Sequence, residues 1–327
     1  MIDTVAIADI EAAASRLAGV VVATPLLQNA ELDQIAGGTV LIKPECFQSI
    51  GSFKIRGAYN LLSQLSPEQA KRGVVAWSSG NHAQGVALAG KILGIHAAIV
   101  MPEDAPKSKL ENTIRLGGEI ITYDRYSGDR EAIARQIAAE RGADIVPSYD
   151  HPHIIAGQGT VGLEIAEQSV ALGLPVDQVL INCGGAGLAA GCAIAIKSRL
   201  PNAEIYTVEP EEFDDTARSL ECGKRVAIRE SASSICDALL ADMPGRLPFD
   251  ILTRLASGGL TVSDAEVRVA MRFAFQNLKI VVEPGGAVAL AAILSGKIDT
   301  AGKTTAIIFS GGNVDVDQFA SIQTERT

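Results

Sequence analysis

Short apolar runs alternate with longer amphipathic stretches along almost the whole chain. Val40-Leu41-Ile42, Val74 to Trp77, Ala97 to Met101, Glu119 to Thr122, Val179 to Ile181, Glu204 to Glu209 and Thr305 to Phe309 read as strands. Between them, Phe53 to Leu65, His82 to Leu93, Pro106 to Leu116, Arg130 to Arg141, Gly187 to Leu200, Ala265 to Asn277 and Ala287 to Leu294 read as helices. Brief apolar strands separated by amphipathic helices predict an α/β architecture with mainly parallel sheets. Ser263-Asp264-Ala265-Glu266 has the form of a capping box at a helix start. Pro106 suits a first helical turn, and Gly117-Gly118 suits its end. No fixed-period repeat or low-complexity linker marks a boundary, as expected of a chain that crosses between domains more than once.

Composition narrows this picture. With 327 residues the chain is long enough for two packed cores. Ala, Ile, Val and Gly dominate while aromatics are scarce, which suits strands buried on both faces under close-fitting helices. The net charge of -10 opposes nonspecific contact with nucleic acid or anionic membrane, and neither partner is expected. Residues 178–196 carry no charge over about the length of a membrane span. Asn182 and the glycines at 184, 185, 187 and 191 break them into a strand, a loop and a helix. The five cysteines are odd in number and show no zinc spacing, so reduced thiols in a cytoplasmic protein are expected. The N-terminus lacks the basic start and apolar stretch of a signal peptide.

Four segments have the wrong composition for plain core. In Gln48-Ser49-Ile50-Gly51-Ser52-Phe53-Lys54-Ile55-Arg56-Gly57-Ala58, a lysine opens a helix behind Gly and Ser. Lys54 is either a solvated surface lysine or a desolvated amine of lowered pKa able to form a Schiff base. Ser78-Ser79-Gly80-Asn81-His82 follows a strand and leaves backbone N–H groups at a helix start, an anion site in form. A single N-cap residue would need only one of those five positions. Gly184-Gly185-Ala186-Gly187-Leu188-Ala189-Ala190-Gly191 has the composition of a phosphate cradle. With Glu209 ending the next strand, it also approaches a dinucleotide fingerprint, so an NAD-binding oxidoreductase is a rival reading. Ser310-Gly311-Gly312-Asn313 is another glycine-rich strand end. Ligands in open α/β sheets bind beyond such ends, so the segments point to one gathered site.

Taken together, in this order, they resemble the fold type II enzymes that use pyridoxal phosphate (PLP), specifically the threonine/serine dehydratase and serine racemase family. Ser52 to Ala58, Ser78 to His82, Ala156-Gly157-Gln158-Gly159-Thr160 and Ser310 to Asp315 carry the resemblance, which runs from about Thr24 to the C-terminus. It implies a tryptophan synthase β-like fold of two three-layer domains, a large one (1–50 and 146–327) and a small one (51–145). By resemblance Lys54 is the Schiff-base lysine and Ser79 an acid/base on the opposite face. Phe53, Asn81 and Glu283 contact the cofactor, Gly184, Gly185, Ala186, Gly187 and Leu188 hold its phosphate, and Ser310 faces its ring nitrogen. Ser78, Ser79, Asn81 and His82 bind the substrate carboxylate. Arg130 can meet a second carboxylate, since its fork suits one. Glu209, Phe213 and Asp215 resemble a hard oxygen site for Mg2+, with Ca2+ or Mn2+ as substitutes; an ordinary acidic helix start is the alternative.

The implied activity is dehydration and deamination of a small β-hydroxy amino acid, such as L-threonine or L-serine, to a 2-oxo acid and ammonia. A 3-hydroxyaspartate dehydratase and a serine racemase are the alternatives on the same scaffold, and a homodimer or larger homo-oligomer is implied. Two departures stand out: Ala186 replaces a usual glycine in the phosphate loop, and Cys236-Asp237-Ala238 stands where Ala-Asp-Gly is frequent.

Overall fold

The computed structural model describes residues 4–78, 80–105, 107–124, 128–229 and 231–325. Its strands are β1 (Thr39–Lys43), β2 (Val74–Trp77), β3 (Ala97–Pro102), β4 (Glu119–Tyr123), β5 (Asp144–Ile145), β6 (Gln178–Asn182), β7 (Glu204–Pro210), β8 (Gly258–Val262) and β9 (Thr304–Ile308). They form a five-stranded sheet in the order β1-β9-β6-β7-β8 and a four-stranded sheet in the order β4-β3-β2-β5. Every pairing between these strands is parallel. The fold is therefore the α/β type expected, with helices as the connections that parallel neighbours require.

Each sheet is covered on both faces. One core of the large sheet packs the helix Pro284–Leu294 against Leu180, Val208 and Ile307. The other packs the helices Pro152–Ala171 and Gly187–Arg199 against Leu41, Val179 and Ile181. Alternate residues of one strand thus serve opposite cores, which is why β6 is apolar throughout its middle. The small sheet is flanked in the same way by a core around Ile55, Val86 and Ile99 and another around Val75, Val100 and Ala134.

Several elements extend or add to the reading from sequence. The helix at the lysine segment is shorter than read, Lys54–Leu62, a helix Pro67–Arg72 follows it, and the one read from His82 begins at Asn81. The helix read as Ala265 to Asn277 is regular over Asp264–Phe273 and passes into a π-helical turn, Ala274–Leu278. Its capping box is formed by Ser263 and Glu266. Pro106 lies outside the described residues; the helix behind it is Lys107–Arg115.

The largest omission is the helix Pro152–Ala171, whose glycines oppose a helix by propensity. Packing overrides that preference. A Cβ on Gly157 would stand 2.6 Å from the Arg56 carbonyl oxygen, and one on Gly162 2.6 Å from the Cys192 Cα. The glycines are needed so that the helices carrying Lys54 and the phosphate loop can approach this one. Among the described residues no helix is long and apolar enough to cross a membrane. Substituting Gly157→Ala should lower stability by about 1–3 kcal/mol through overpacking, seen as a lower melting temperature. An unchanged melting temperature would show that the helix contact can relax.

Candidate active site

The carboxyl ends of β2, β6 and β9 open on one cavity of about 840 Å³ that reaches Lys54, Asn81, Gly184 and Ser310. Four chain segments far apart in sequence meet there. An antiparallel bridge between Ser52 and Gly311, with the Phe53 N–H donating to the Ser310 carbonyl at 3.2 Å, ties the lysine turn to the end of β9.

Lys54 faces the cavity with its amine deep inside it. Its Nζ donates to the Ser148 carbonyl oxygen at 2.9 Å and lies 3.4 Å from the Ser148 Oγ. Burial lowers the amine to about 8, against the opposing pull of the Glu283 charge. A solvated surface lysine would show neither feature. The same helix is anchored two residues on by Arg56, which is fully buried. Arg56 donates from Nε and Nη2 to the two oxygens of Glu45 at 2.8 and 2.9 Å, and from Nη1 and Nη2 to Glu164 at 2.6 and 3.0 Å. Lys43 pairs with the same Glu164 at 2.6 Å. Two cations and two carboxylates thus satisfy each other in a cluster that only Glu164, 20% exposed, opens to water, and the lysine helix is bound to the segment after β1 and to the long helix.

The phosphate-loop candidates wrap the start of the helix Gly187–Arg199. Ala186, the departure from glycine, takes the left-handed conformation, φ 69° and ψ 4°, which costs an alanine more than a glycine. A Cβ on Gly185 would meet the Tyr149 ring at 2.2 Å. Packing alone therefore explains one glycine, while the N–H groups at the helix start could hold an anion. Two buried polar atoms on the cavity wall, Gln158 Nε2 and Asn182 Oδ1, have no partner. Such orphans fit a polar occupant.

Opposite the loop, Asn81 donates from Nδ2 to Glu283 Oε1 at 2.6 Å and accepts from Asn313 Nδ2 at 2.7 Å. Burial, then the nearby Asp237, pushes Glu283 up to about 7. His82 donates from Nε2 to the Val146 carbonyl at 2.9 Å, and burial pushes it down to about 3. It is a neutral group that fixes the loop against β5. Ser78 accepts from the Gly80 N–H at 3.2 Å, while Ser79 lies outside the described residues. Phe53, Gly187 and Leu188 line the cavity as well.

Arg130 begins the helix Arg130–Arg141 at the exposed rim of the same cavity. Among the described cations there, Lys109 pairs with Asp237, Arg135 with Glu131, and Arg225 donates to the Pro244 carbonyl. Arg130 pairs with no described residue.

The cation candidates lie outside the cavity. Glu209 accepts from the Thr216 and Ala217 N–H groups at 2.9 and 2.7 Å, and so caps the helix Asp215–Cys222. It is fully buried, which removes it as a ribose ligand and with it the dinucleotide reading. Burial, with Asp215 nearby, raises its carboxyl well above the usual range. Asp215 itself is pushed up to about 7 by burial, and its Oδ2 is buried without a partner. Phe213 sits in the 3-10 turn between them.

Ser148, Gln158, Asn182 and Asn313 are site residues that sequence reading missed as such. Asn182 and Asn313 flank glycine-rich strand ends, a usable signal; Ser148 reaches Lys54 only through tertiary packing.

Comparison with known proteins agrees with this geometry. The sequence model of the pyridoxal-phosphate-dependent enzymes matches residues 17–311. The chain belongs to that family. It is 43% identical over 314 residues to the L-threo-3-hydroxyaspartate ammonia-lyase of a Pseudomonas species, covering 96% of this chain and 97% of that one. To the catabolic L-threonine dehydratase of Escherichia coli it is 39% identical over 320 residues, 97% and 96% of the two chains. The structure of maize serine racemase superposes with a TM-score of 0.92 at 38% identity, covering 97% of this chain and 96% of that one. The protein is a PLP-dependent lyase of the dehydratase and racemase group, and the fold type II expectation holds.

In protein freed of cofactor, an amine-directed reagent should modify Lys54 half-maximally near pH 8. Modification rising only near pH 10.5, the ordinary lysine value, would contradict the desolvated amine.

Proposed function

We propose that the chain eliminates water from 3-hydroxyaspartate and that hydrolysis of the resulting enamine, which takes a water back up, releases ammonia and leaves a 2-oxo acid, with L-threonine and L-serine as poorer substrates. Arg130 carries this choice. It is a cation at the mouth of the cavity, without a described partner, and a second substrate carboxylate would satisfy it in bidentate fashion. The 43% identity to a hydroxyaspartate ammonia-lyase supports the same choice.

When bound, pyridoxal phosphate supplies an aldehyde for amine chemistry and a ring that accepts electron density from the substrate's α-carbon. The protein does the rest. The N–H groups of the loop from Gly184 to Leu188 would hold the phosphate, and Asn81, fixed by Glu283 and Asn313, would hold the ring oxygen. Lys54 is neutral in a useful fraction near neutral pH and would take the α-proton. The Ser148 carbonyl holds the amine in place by its hydrogen bond. The N–H groups from Ser78 to His82 would bind the α-carboxylate. Ser310 offers a hydroxyl, not a carboxylate, to the ring nitrogen, which limits charge build-up on the ring and favours prompt loss of the β-hydroxyl. Ser79 remains the residue through which racemisation would run, and Ser79→Ala distinguishes that activity by chiral analysis of serine.

Three further statements belong to this proposal. A hard cation, Mg2+ or its substitutes, would use the Glu209 and Asp215 carboxylates and the Phe213 carbonyl; the orphan Asp215 Oδ2 is its support. Division into lobes of 1–50 with 146–327 and of 51–145 is supported by the two sheets, whose strands separate in sequence in that way. A homodimer or larger assembly, placed in the cytoplasm as part of the same proposal, has for its self-association the support of Phe47 and Val281, 50% and 44% exposed on segments that meet at Gly312.

Keto-acid release should be fastest with 3-hydroxyaspartate. Arg130→Ala should cut its kcat/KM by about 10- to 100-fold, the worth of a charged hydrogen-bonded pair, and change serine turnover little. Equal losses on all substrates would defeat the assignment. Mg2+ should raise the melting temperature more at pH 8 than at pH 5.5. Asp215 titrates near 7, so above that pH the folded protein holds an unfavourable buried charge that the cation neutralises. A pH-independent shift, or one that survives Asp215→Asn, would remove the site.

A further inference from the structure

Asn182 ends β6 at the base of the cavity and is 97% buried by its 3% exposure. Its side-chain amide is oriented without ambiguity. Nδ2 lies 2.8 Å from the Gly285 carbonyl oxygen, a group that can only accept, so the nitrogen and not the oxygen points there. The second hydrogen of the same Nδ2 is directed to Ser310 Oγ at 3.1 Å. Ser310 is buried at 4% exposure and faces the cavity. No other hydrogen bond of its hydroxyl is seen among the described residues.

We infer that Asn182 is a positioning residue that makes Ser310 a hydrogen-bond donor into the cavity and thereby keeps the cofactor's ring nitrogen unprotonated. A serine hydroxyl has one hydrogen and two lone pairs. Because Asn182 donates to one lone pair, the hydrogen turns away from Asn182, toward whatever acceptor the cavity holds. An amide with two donors, one fixed on Gly285, cannot exchange roles with the hydroxyl. Donation into Ser310 also polarises its O–H and strengthens it as a donor. A protonated ring nitrogen would face that hydrogen as a second donor, so the arrangement selects the neutral ring. This deepens the proposed reaction and rests on it. A neutral ring draws electron density weakly, which suits elimination over lingering proton exchange.

Asn182→Asp reverses the chemistry at nearly constant shape. A protonated carboxyl has one hydrogen where the amide has two. That hydrogen goes to Gly285, and a lone pair of the same oxygen, which takes the place of Nδ2, accepts from Ser310. The Ser310 lone pairs then face the cavity and favour a protonated ring nitrogen. Asn182→Leu removes both bonds and frees the hydroxyl, so the cofactor should dissociate about three- to tenfold more readily. Ser310→Ala removes the relay itself.

The test loads wild-type protein and the variants with PLP carrying 15N in its ring and reads the nitrogen resonance, independently of turnover. Wild-type protein should show a neutral pyridine. Asn182→Asp should move the resonance toward a pyridinium, and the same change in a Ser310→Ala background should move it little. A pyridinium in wild-type protein would overturn the inference without any variant being needed, whether or not the variants fold. So would a resonance in Asn182→Asp equal to that of wild type, or an equal shift with and without Ser310; in each case cofactor binding and lyase activity would stand. Wild-type protein that takes up no labelled cofactor would sink the proposed function itself.

Discussion

A largely desolvated amine governs the site. Lys54 presents its nitrogen to a backbone carbonyl inside a polar, partly open cavity, and its charged form loses hydration that one carbonyl cannot replace. The result is a base near 8, where an exposed lysine would hold its proton two pH units further. Every other element has a bearing on keeping that amine in place and dry. In the proposed reaction the loop from Gly184 to Leu188 would fix one end of the cofactor, the Asn81–Glu283 pair its side, and the end of β9 its ring nitrogen.

The buried charges at Arg56 belong to the same constraint. Removing ions from water is expensive, and pairs of this kind rarely add net stability over apolar packing. Here burial opposes the charge on Glu45, and Arg56 outweighs it, holding that carboxyl below its usual range. The gain lies in geometry. A guanidinium shared between carboxylates on the segment after β1 and on the long helix allows one register for the helix that starts at Lys54. Gly57 and Gly157 then let the two helices touch at backbone distance, and a side chain at either would push the lysine out of place.

Much of this was legible in sequence because the chemistry sits at strand ends. Asn81, Gly184 and Ser310 each stand just beyond an apolar strand, and Lys54 opens a helix behind Gly and Ser, so the composition changes abruptly where a ligand has to approach backbone. The alternation of strands and helices was legible for the same reason that both sheets are buried: each face needs apolar residues. The long helix from Pro152 was not, since its glycines answer to neighbouring helices and not to local preference. Ser148 looks ordinary in sequence, and although Asn182 flanks a glycine-rich strand end, only the fold shows that it reaches Ser310. Glu209 was legible as a candidate ligand at the start of an acidic stretch, but its burial and its capping of the helix from Asp215 depend on where the turn places two N–H groups.

The covalent link between Lys54 and the cofactor is the claim most open to direct measurement. Protein reconstituted with pyridoxal phosphate, reduced with borohydride and digested should yield a single peptide, the one containing Lys54, heavier by one reduced phosphopyridoxyl group. A label on any other lysine, or none on a protein that turns over substrate, would contradict the account.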